Sequence, residues 1–167
     1  LNAALEAREL SVLRSHPWRF LVGYNLPDER MAAFAARAAE GVVVERARPD
    51  FVRLLRGAAL SVSQGGYNTV MEVLDAGVRA VVVPYAGGLE TEQTVRAELL
   101  AERGLLEAVR EEDLSGPAIA MAIDAAMSKP SRTGAGDTAV PGLDTNGVDA
   151  TATILAEALG AHQLGQR

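Results

Sequence analysis

Residues 61–84, SVSQGGYNTVMEVLDAGVRAVVVP, decide how the rest of the chain is read. An apolar run stops at two adjacent glycines, Gly65 and Gly66, and restarts at once with apolar residues at 70, 73 and 74. That is helical spacing. Gly77 then stops the helix, and the β-branched run at 81–83 begins a second strand. Strand, glycine turn, helix, glycine and strand make a βαβ unit, whose two strands run parallel. The second strand is apolar without alternation, which suits a central parallel strand covered on both faces.

Working outward, the same alternation recurs. LNAALEARELSVL (1–13) reads as a helix, and because a helix in a parallel α/β domain normally follows a strand, its partner strand is expected upstream of Leu1. RFLVGYN (19–25) reads as a strand closed by the turn signal Asn-Leu-Pro-Asp, and DERMAAFAARAAE (28–40) as a helix with acidic residues in its first turn. GVVVE is the next strand. After RARPD, FVRLLRGAA predicts a short helix ended by Gly57; ALSVS, YNTVMEVLDAG and RAVVVP follow as strand, helix and strand. ETEQTVRAELLAERG predicts a helix, LLEAV an edge strand, and EEDLSGPAIAMAIDAAMS a helix with Pro117 near its first turn. Residues 128–149, rich in Gly, Pro, Ser, Thr and Asp, predict a flexible loop, and residues 150–167 a terminal helix and tail packing on the same domain. The fold class that results is α/β: a Rossmann-like parallel sheet with helices on both faces. Such sheets bind ligands beyond the carboxyl ends of their strands.

Composition narrows the function. At 167 residues the chain fits one domain, and 49% hydrophobic with 23% charged residues is ordinary for a folded α/β protein. A net charge of −6 provides no global field for nucleic acid or an anionic membrane, so any phosphate has to be held locally. The absence of cysteine removes thiolate chemistry, and with two histidines, His16 and His162, no metal site is expected. The apolar runs are too short for a transmembrane segment, and the expected location is cytoplasmic.

The motifs fall at the carboxyl ends of the strands. Ser63, Gln64, Gly65 and Gly66 lie between a strand and a helix, where free backbone N–H groups and the helix dipole can hold a phosphate; Asn68 and Thr69 add side-chain donors. Spacing alone is equally served by a glycine turn that merely closes a tight connection and by a polar residue that merely caps a helix. Glu72 shares a helix face with Asn68, four residues earlier, and a carboxylate there can accept from a ribose diol or simply be solvated. In PYAGGLETEQ, Glu90, Glu92 and Gln93 crowd a helix start, which is stabilising in any protein. They also suit sugar hydroxyls. Arg46 and Arg48 flank the RARPD turn and are either solvated or available to a base or phosphate.

From Arg48 through Arg96 the chain resembles the carboxyl-terminal, donor-binding domain of GT-B glycosyltransferases. It is most similar to glycosyltransferase family 28, the bacterial lipid-linked N-acetylglucosamine transferases, and to its predicted-glycosyltransferase relatives. The shared pattern is a proline before a short helix, a strand, a glycine turn with Asn68, Thr69 and Glu72, a strand ending in Pro84, then Glu92-Gln93. The resemblance implies one half of a GT-B fold, with residues 1–127 as a nucleotide-sugar-binding domain. It implies that Ser63, Gln64, Gly65, Gly66, Asn68 and Thr69 hold the diphosphate, Glu72 the ribose, Glu92 and Gln93 the donor sugar, and the backbone around Ala47 and Arg48 the base. The substrate implied is a nucleoside diphosphate sugar, UDP in most relatives, with no cofactor. Gln64 departs from the family's common histidine and cannot add charge. The acceptor site and general base of such enzymes belong to an amino-terminal domain or partner chain, so no catalytic side chain is expected here. Rival readings are the donor-binding subunit of a two-chain transferase, a nucleotide-sugar epimerase, and a ribokinase-like sugar kinase suggested by TGAGDT (133–138). In the last, Pro141 and Gly142 would abort the helix that the kinase motif needs.

Overall fold

The computed structural model describes residues 1–87 and 92–130. The elements run α1 (Asn2–Leu10), β1 (Trp18–Val22), α2 (Asp28–Ala35), β2 (Val42–Arg46), α3 (Phe51–Arg56), β3 (Leu60–Gln64), α4 (Tyr67–Ala76), β4 (Arg79–Val83), α5 (Glu92–Glu102), β5 (Glu107–Ala108) and α6 (Gly116–Ser128). All three strand pairings are parallel, as the alternation predicts.

β4 is the strand that organises the core. Val81 and Val82 are fully buried, and Ala80 nearly so. Because successive side chains of a strand point to opposite faces, Ala80 and Val82 meet one layer and Val81 the other. The first layer joins them to Leu55 of α3, Val70, Val73 and Leu74 of α4, and Ala97 and Leu100 of α5. The second joins Val81 to Ala7 of α1 and Ile119, Ala120 and Ile123 of α6. α4 stops at Gly77, whose φ of 65° lies in the left-handed region, where a side chain would be strained. α6 starts where Ser115 accepts a hydrogen bond from the Ala118 N–H, with Pro117 in the first turn; the preceding Glu111–Asp113 forms a separate 3₁₀ turn.

Three boundaries differ from the sequence reading. α1 ends at Leu10 and turns, instead of continuing to residue 13. α2 ends at Ala35, well short of residue 40, because Phe34 is its only buried residue and the alanine-rich remainder has no apolar side chain large enough to anchor another turn. The sheet is divided into two parallel ladders, β1–β2 and β3–β4–β5, with no pairing between them among the described residues. Helix packing links them instead. Trp18 of β1 and Leu60 and Val62 of β3 all rest on the α1–α6 cluster. Element order gives the direction of strands but not which edges meet. The expected terminal helix, the TGAGDT motif and all but residues 128–130 of the expected loop lie outside the described residues, as does Glu90.

Candidate functional site

β3 ends at Gln64, which lies opposite Val83 of β4, so the β3–α4 turn and the β4–α5 loop leave the sheet side by side. The two glycines of the turn have different reasons for being glycine. A Cβ on Gly65 would come within 3.2 Å of Pro84 Cα and 3.3 Å of Pro84 Cβ, so Gly65 allows the turn to press against the end of β4. A Cβ on Gly66 would meet no atom within 4 Å. Its φ of −58° and ψ of 137° are open to every residue type. Among the described residues nothing requires a glycine at 66, and the space beside it is open.

Gly66 is also the N-cap of α4, and no side chain accepts from the first-turn N–H groups. Neither Asn68 nor Thr69 therefore caps the helix, and the donors at its start have no acceptor among the described residues. Asn68 is exposed and Glu72 half-buried, one turn further along the same helix face. Glu72 has no hydrogen-bond or ion-pair partner among the described residues, whereas the neighbouring Asp75 faces Arg56 at 3.4 Å. Gln64 is exposed at the lip of the turn. Ser63 differs: its hydroxyl is screened from solvent and has no hydrogen-bond partner.

The β4–α5 loop is tied at two points. Gln93 Oε1 accepts from the Tyr85 N–H at 3.3 Å, and Glu111 Oε2 accepts from the Ala86 N–H at 2.6 Å. Gln93 thus spends its acceptor on the loop and keeps its amide donors. Glu92 pairs with Arg96, one turn along α5. Arg96 in turn donates through Nη1 to the Gly65 carbonyl at 3.0 Å and stands 5.3 Å from the centre of the Tyr67 ring. Sequence reasoning singled out neither Arg96 nor Glu111. A helix arginine and an acidic residue in EED carry no signature, and only the parallel crossover brings them to the turn.

The residues after β2 are more constrained than expected. The Ala47 N–H donates to the Val22 carbonyl at 2.9 Å, and the Ala47 carbonyl accepts from the Tyr24 hydroxyl at 3.0 Å. Arg48 forms a fork on Asp50, with Nε to Oδ1 at 2.8 Å and Nη2 to Oδ2 at 3.0 Å, and also faces Glu45. Hydrogen bonds from Arg48 and Arg53 hold the Asp50 carboxyl well below the usual carboxylate range, and a hydrogen bond from Arg19 lowers that of Glu45. The Arg48 guanidinium is therefore committed to Asp50, while Arg46 is committed to Asp28 and to the carbonyls of Gly23 and Leu26. Among the described residues no group of three or more metal-ligating side chains is found, and no helix is long and apolar enough to cross a membrane.

Parallel strands sandwiched by helices, with a glycine turn and an open helix start at their carboxyl ends, define a Rossmann-like ligand-binding domain. The profile of the glycosyltransferase family 28 C-terminal domain matches residues 9–144, and the chain belongs to that family. Among relatives, it is 35% identical over 81 residues to the UDP-N-acetylglucosamine--N-acetylmuramyl-(pentapeptide) pyrophosphoryl-undecaprenol N-acetylglucosamine transferase of Cupriavidus necator, covering 48% of this chain and 22% of that one. The enzyme of the same name from Burkholderia pseudomallei is 30% identical over 125 residues, covering 71% of this chain and 32% of its own length. The chain thus spans 22% and 32% of the length of these two relatives. Two solved structures share the fold: the glycotransferase of kitacinnamycin (TM-score 0.61, 20% identity, 77% of this chain and 30% of that one) and Acinetobacter baumannii MurG (TM-score 0.51, 21% identity, 77% and 42%). The GT-B resemblance of the fold holds.

Proposed function

We propose that this protein is the donor-binding part of a glycosyltransferase and holds a nucleoside diphosphate sugar, UDP-linked, at the β3–α4 turn. The observation that carries the proposal is Gly66: its missing side chain leaves open space beside an uncapped helix start, although neither packing nor backbone conformation asks for glycine there. Membership in the family and relatives named as UDP-N-acetylglucosamine transferases support the choice of ligand.

In this reading the N–H groups at the start of α4, with the side chains of Asn68 and Thr69, meet the diphosphate. The α4 dipole adds an attraction of about 0.3–1 kcal/mol for negative charge. Glu72, half-buried and unpartnered, accepts from the ribose diol. Gln93 donates its amide to the sugar hydroxyls, and Glu92 reaches them beside its pairing with Arg96. With both polar groups of the Ala47 backbone already bonded, the base is met through the second lone pair of the Ala47 carbonyl and by the Arg48 backbone.

The chemical role is to stabilise the leaving diphosphate with fixed donors as the bond to the sugar breaks, without a metal ion. The acceptor and the general base come from an amino-terminal domain or partner chain, on the cytoplasmic side of the membrane where nucleotide sugars are made. Calorimetric titration with UDP, UDP-N-acetylglucosamine, dTDP, GDP and ATP tests this. Saturable binding of UDP or its sugar, unchanged by chelator, is the expected result. Absence of binding to any nucleoside diphosphate, or an absolute need for a divalent ion, would refute it.

A further inference from the structure

Arg96 makes three contacts that no other side chain near the turn combines among the described residues. Its side chain is 18% exposed while that of its partner Glu92 is 80% exposed, so the guanidinium is held inward against the protein. Nη1 donates to the Gly65 carbonyl at 3.0 Å, the guanidinium carbon lies 5.3 Å from the Tyr67 ring centre, and Nη2 pairs with Glu92. These partners are the turn, the first residue of α4 and the first residue of α5. One cation thus ties together the two segments that leave the sheet at this point.

The bond to Gly65 has a geometric consequence. The carbonyl of Gly65 and the N–H of Gly66 belong to one planar trans peptide and point in opposite directions. With the oxygen fixed on Arg96, the Gly66 N–H is fixed facing away from α5. Two adjacent glycines would otherwise leave this peptide with more conformational freedom than any other pair, and ordering it on binding would weaken affinity.

We propose that Arg96 is a positioning residue: it orients the Gly65–Gly66 peptide in advance, so that the Gly66 N–H is presented to the diphosphate without reorganisation. The role rests on the reading of this turn as the diphosphate site. Arg96 brings its cation to the turn from a different element, α5. The Glu92 carboxylate and the Tyr67 ring face hold that cation in place and keep it from pairing with the ligand as a free counter-ion.

The test uses the ¹⁵N-labelled protein and its Arg96→Gln and Arg96→Lys variants, titrated separately with UDP and with uridine while the Gly66 amide is followed by NMR. Arg96→Gln should bind UDP about tenfold or more weakly, as expected for one misoriented donor to a charged acceptor, with uridine affinity unchanged within about twofold. The order parameter of its Gly66 amide should fall even without ligand. Arg96→Lys retains a donor for the Gly65 carbonyl and should recover part of the UDP affinity. Equal losses for UDP and uridine, or no loss for either, would overturn the positioning role. So would an unchanged Gly66 amide in Arg96→Gln. A wild-type protein that ignores UDP would sink the reading of the turn, whereas the ligand-free amide signature tests Arg96 on its own.

Discussion

Replacing each glycine of the turn by alanine separates fold from function, because the two sites differ in what a methyl group would meet. At Gly65 the new Cβ comes within 3.2 Å of Pro84 Cα, a backbone atom at the end of β4 that cannot rotate aside, and within 3.4 Å of Gln93 Cβ. Overpacking of this kind costs about 1–3 kcal/mol. For a chain of this size each kcal/mol lowers Tm by about 2–4 °C, so Gly65→Ala should melt roughly 2–12 °C lower. At Gly66 the methyl group enters empty space at an ordinary backbone conformation. Reduced freedom of the unfolded chain stabilises by about 0.4–1 kcal/mol, and alanine's poor performance as an N-cap removes a comparable amount. Tm should therefore stay within about 2 °C. If the open space is where the diphosphate sits, the same methyl group displaces it from the N–H groups, and loss of one charge-assisted hydrogen bond, about 1.5–3 kcal/mol, lowers UDP affinity ten- to a hundredfold. Differential scanning calorimetry and titration calorimetry on the two variants read both quantities. A Gly66→Ala protein that binds UDP as tightly as the wild type would refute the reasoning, as would a Gly65→Ala protein of unchanged Tm.

Other expectations follow from the same geometry. Glu72→Ala should weaken UDP binding while leaving Tm within about 2 °C, since the carboxylate has no partner to lose; UDP and 2′-deoxy-UDP titrations check whether the loss tracks the ribose hydroxyl. Ile123→Ala empties a fully buried position between α6 and the sheet and should cost about 2–5 kcal/mol by urea denaturation. The Asp50 carboxyl is held below its ordinary range by Arg48 and Arg53. A depressed folded-state pKa adds stability that is present above the unfolded value of about 4 and is lost as pH falls below it. Asp50→Asn should accordingly flatten the dependence of Tm on pH below about 4, and an unchanged slope would show that the pairing contributes nothing.

Much of this was legible in particular residues. The Val81–Val83 run announced a strand buried on both faces, and the structure divides those side chains between two core layers. Gly77 announced a helix end and takes a left-handed conformation. The Gly65–Gly66 pair marked the turn, but sequence could not tell that one glycine serves packing and the other leaves space, since that depends on how close Pro84 approaches. Arg96 was illegible because its meaning comes from a crossover that places α5 beside β3. The Ala47 backbone was anticipated as a contact for the base without foreseeing that Val22 and Tyr24 already bond it. The extent of α2 was overestimated for a related reason: helix-forming residues do not continue a helix that has nothing to pack against.

The division of the sheet sets up two regions of unequal cohesion. Among the described residues only β4 is hydrogen-bonded along both edges, and both large apolar clusters converge on it. The β1–α2–β2 segment has its own ladder and a small aromatic group, in which Phe20 meets Phe34 edge-on at 5.2 Å and lies 6.0 Å from Trp18, and it meets the rest through Trp18 on the α1–α6 cluster and the bond from Arg8 to the Glu40 carbonyl. Such a segment is expected to open more readily than the β3–β4–β5 region, and slower hydrogen exchange at Val81 and Val82 than at Phe20 and Val44 would show it. The glycine turn, Glu72 and Arg96 belong to the more cohesive region, whereas Ala47 and Arg48, assigned to the base, follow β2, so a ligand that meets both would tie the less cohesive segment to the rest.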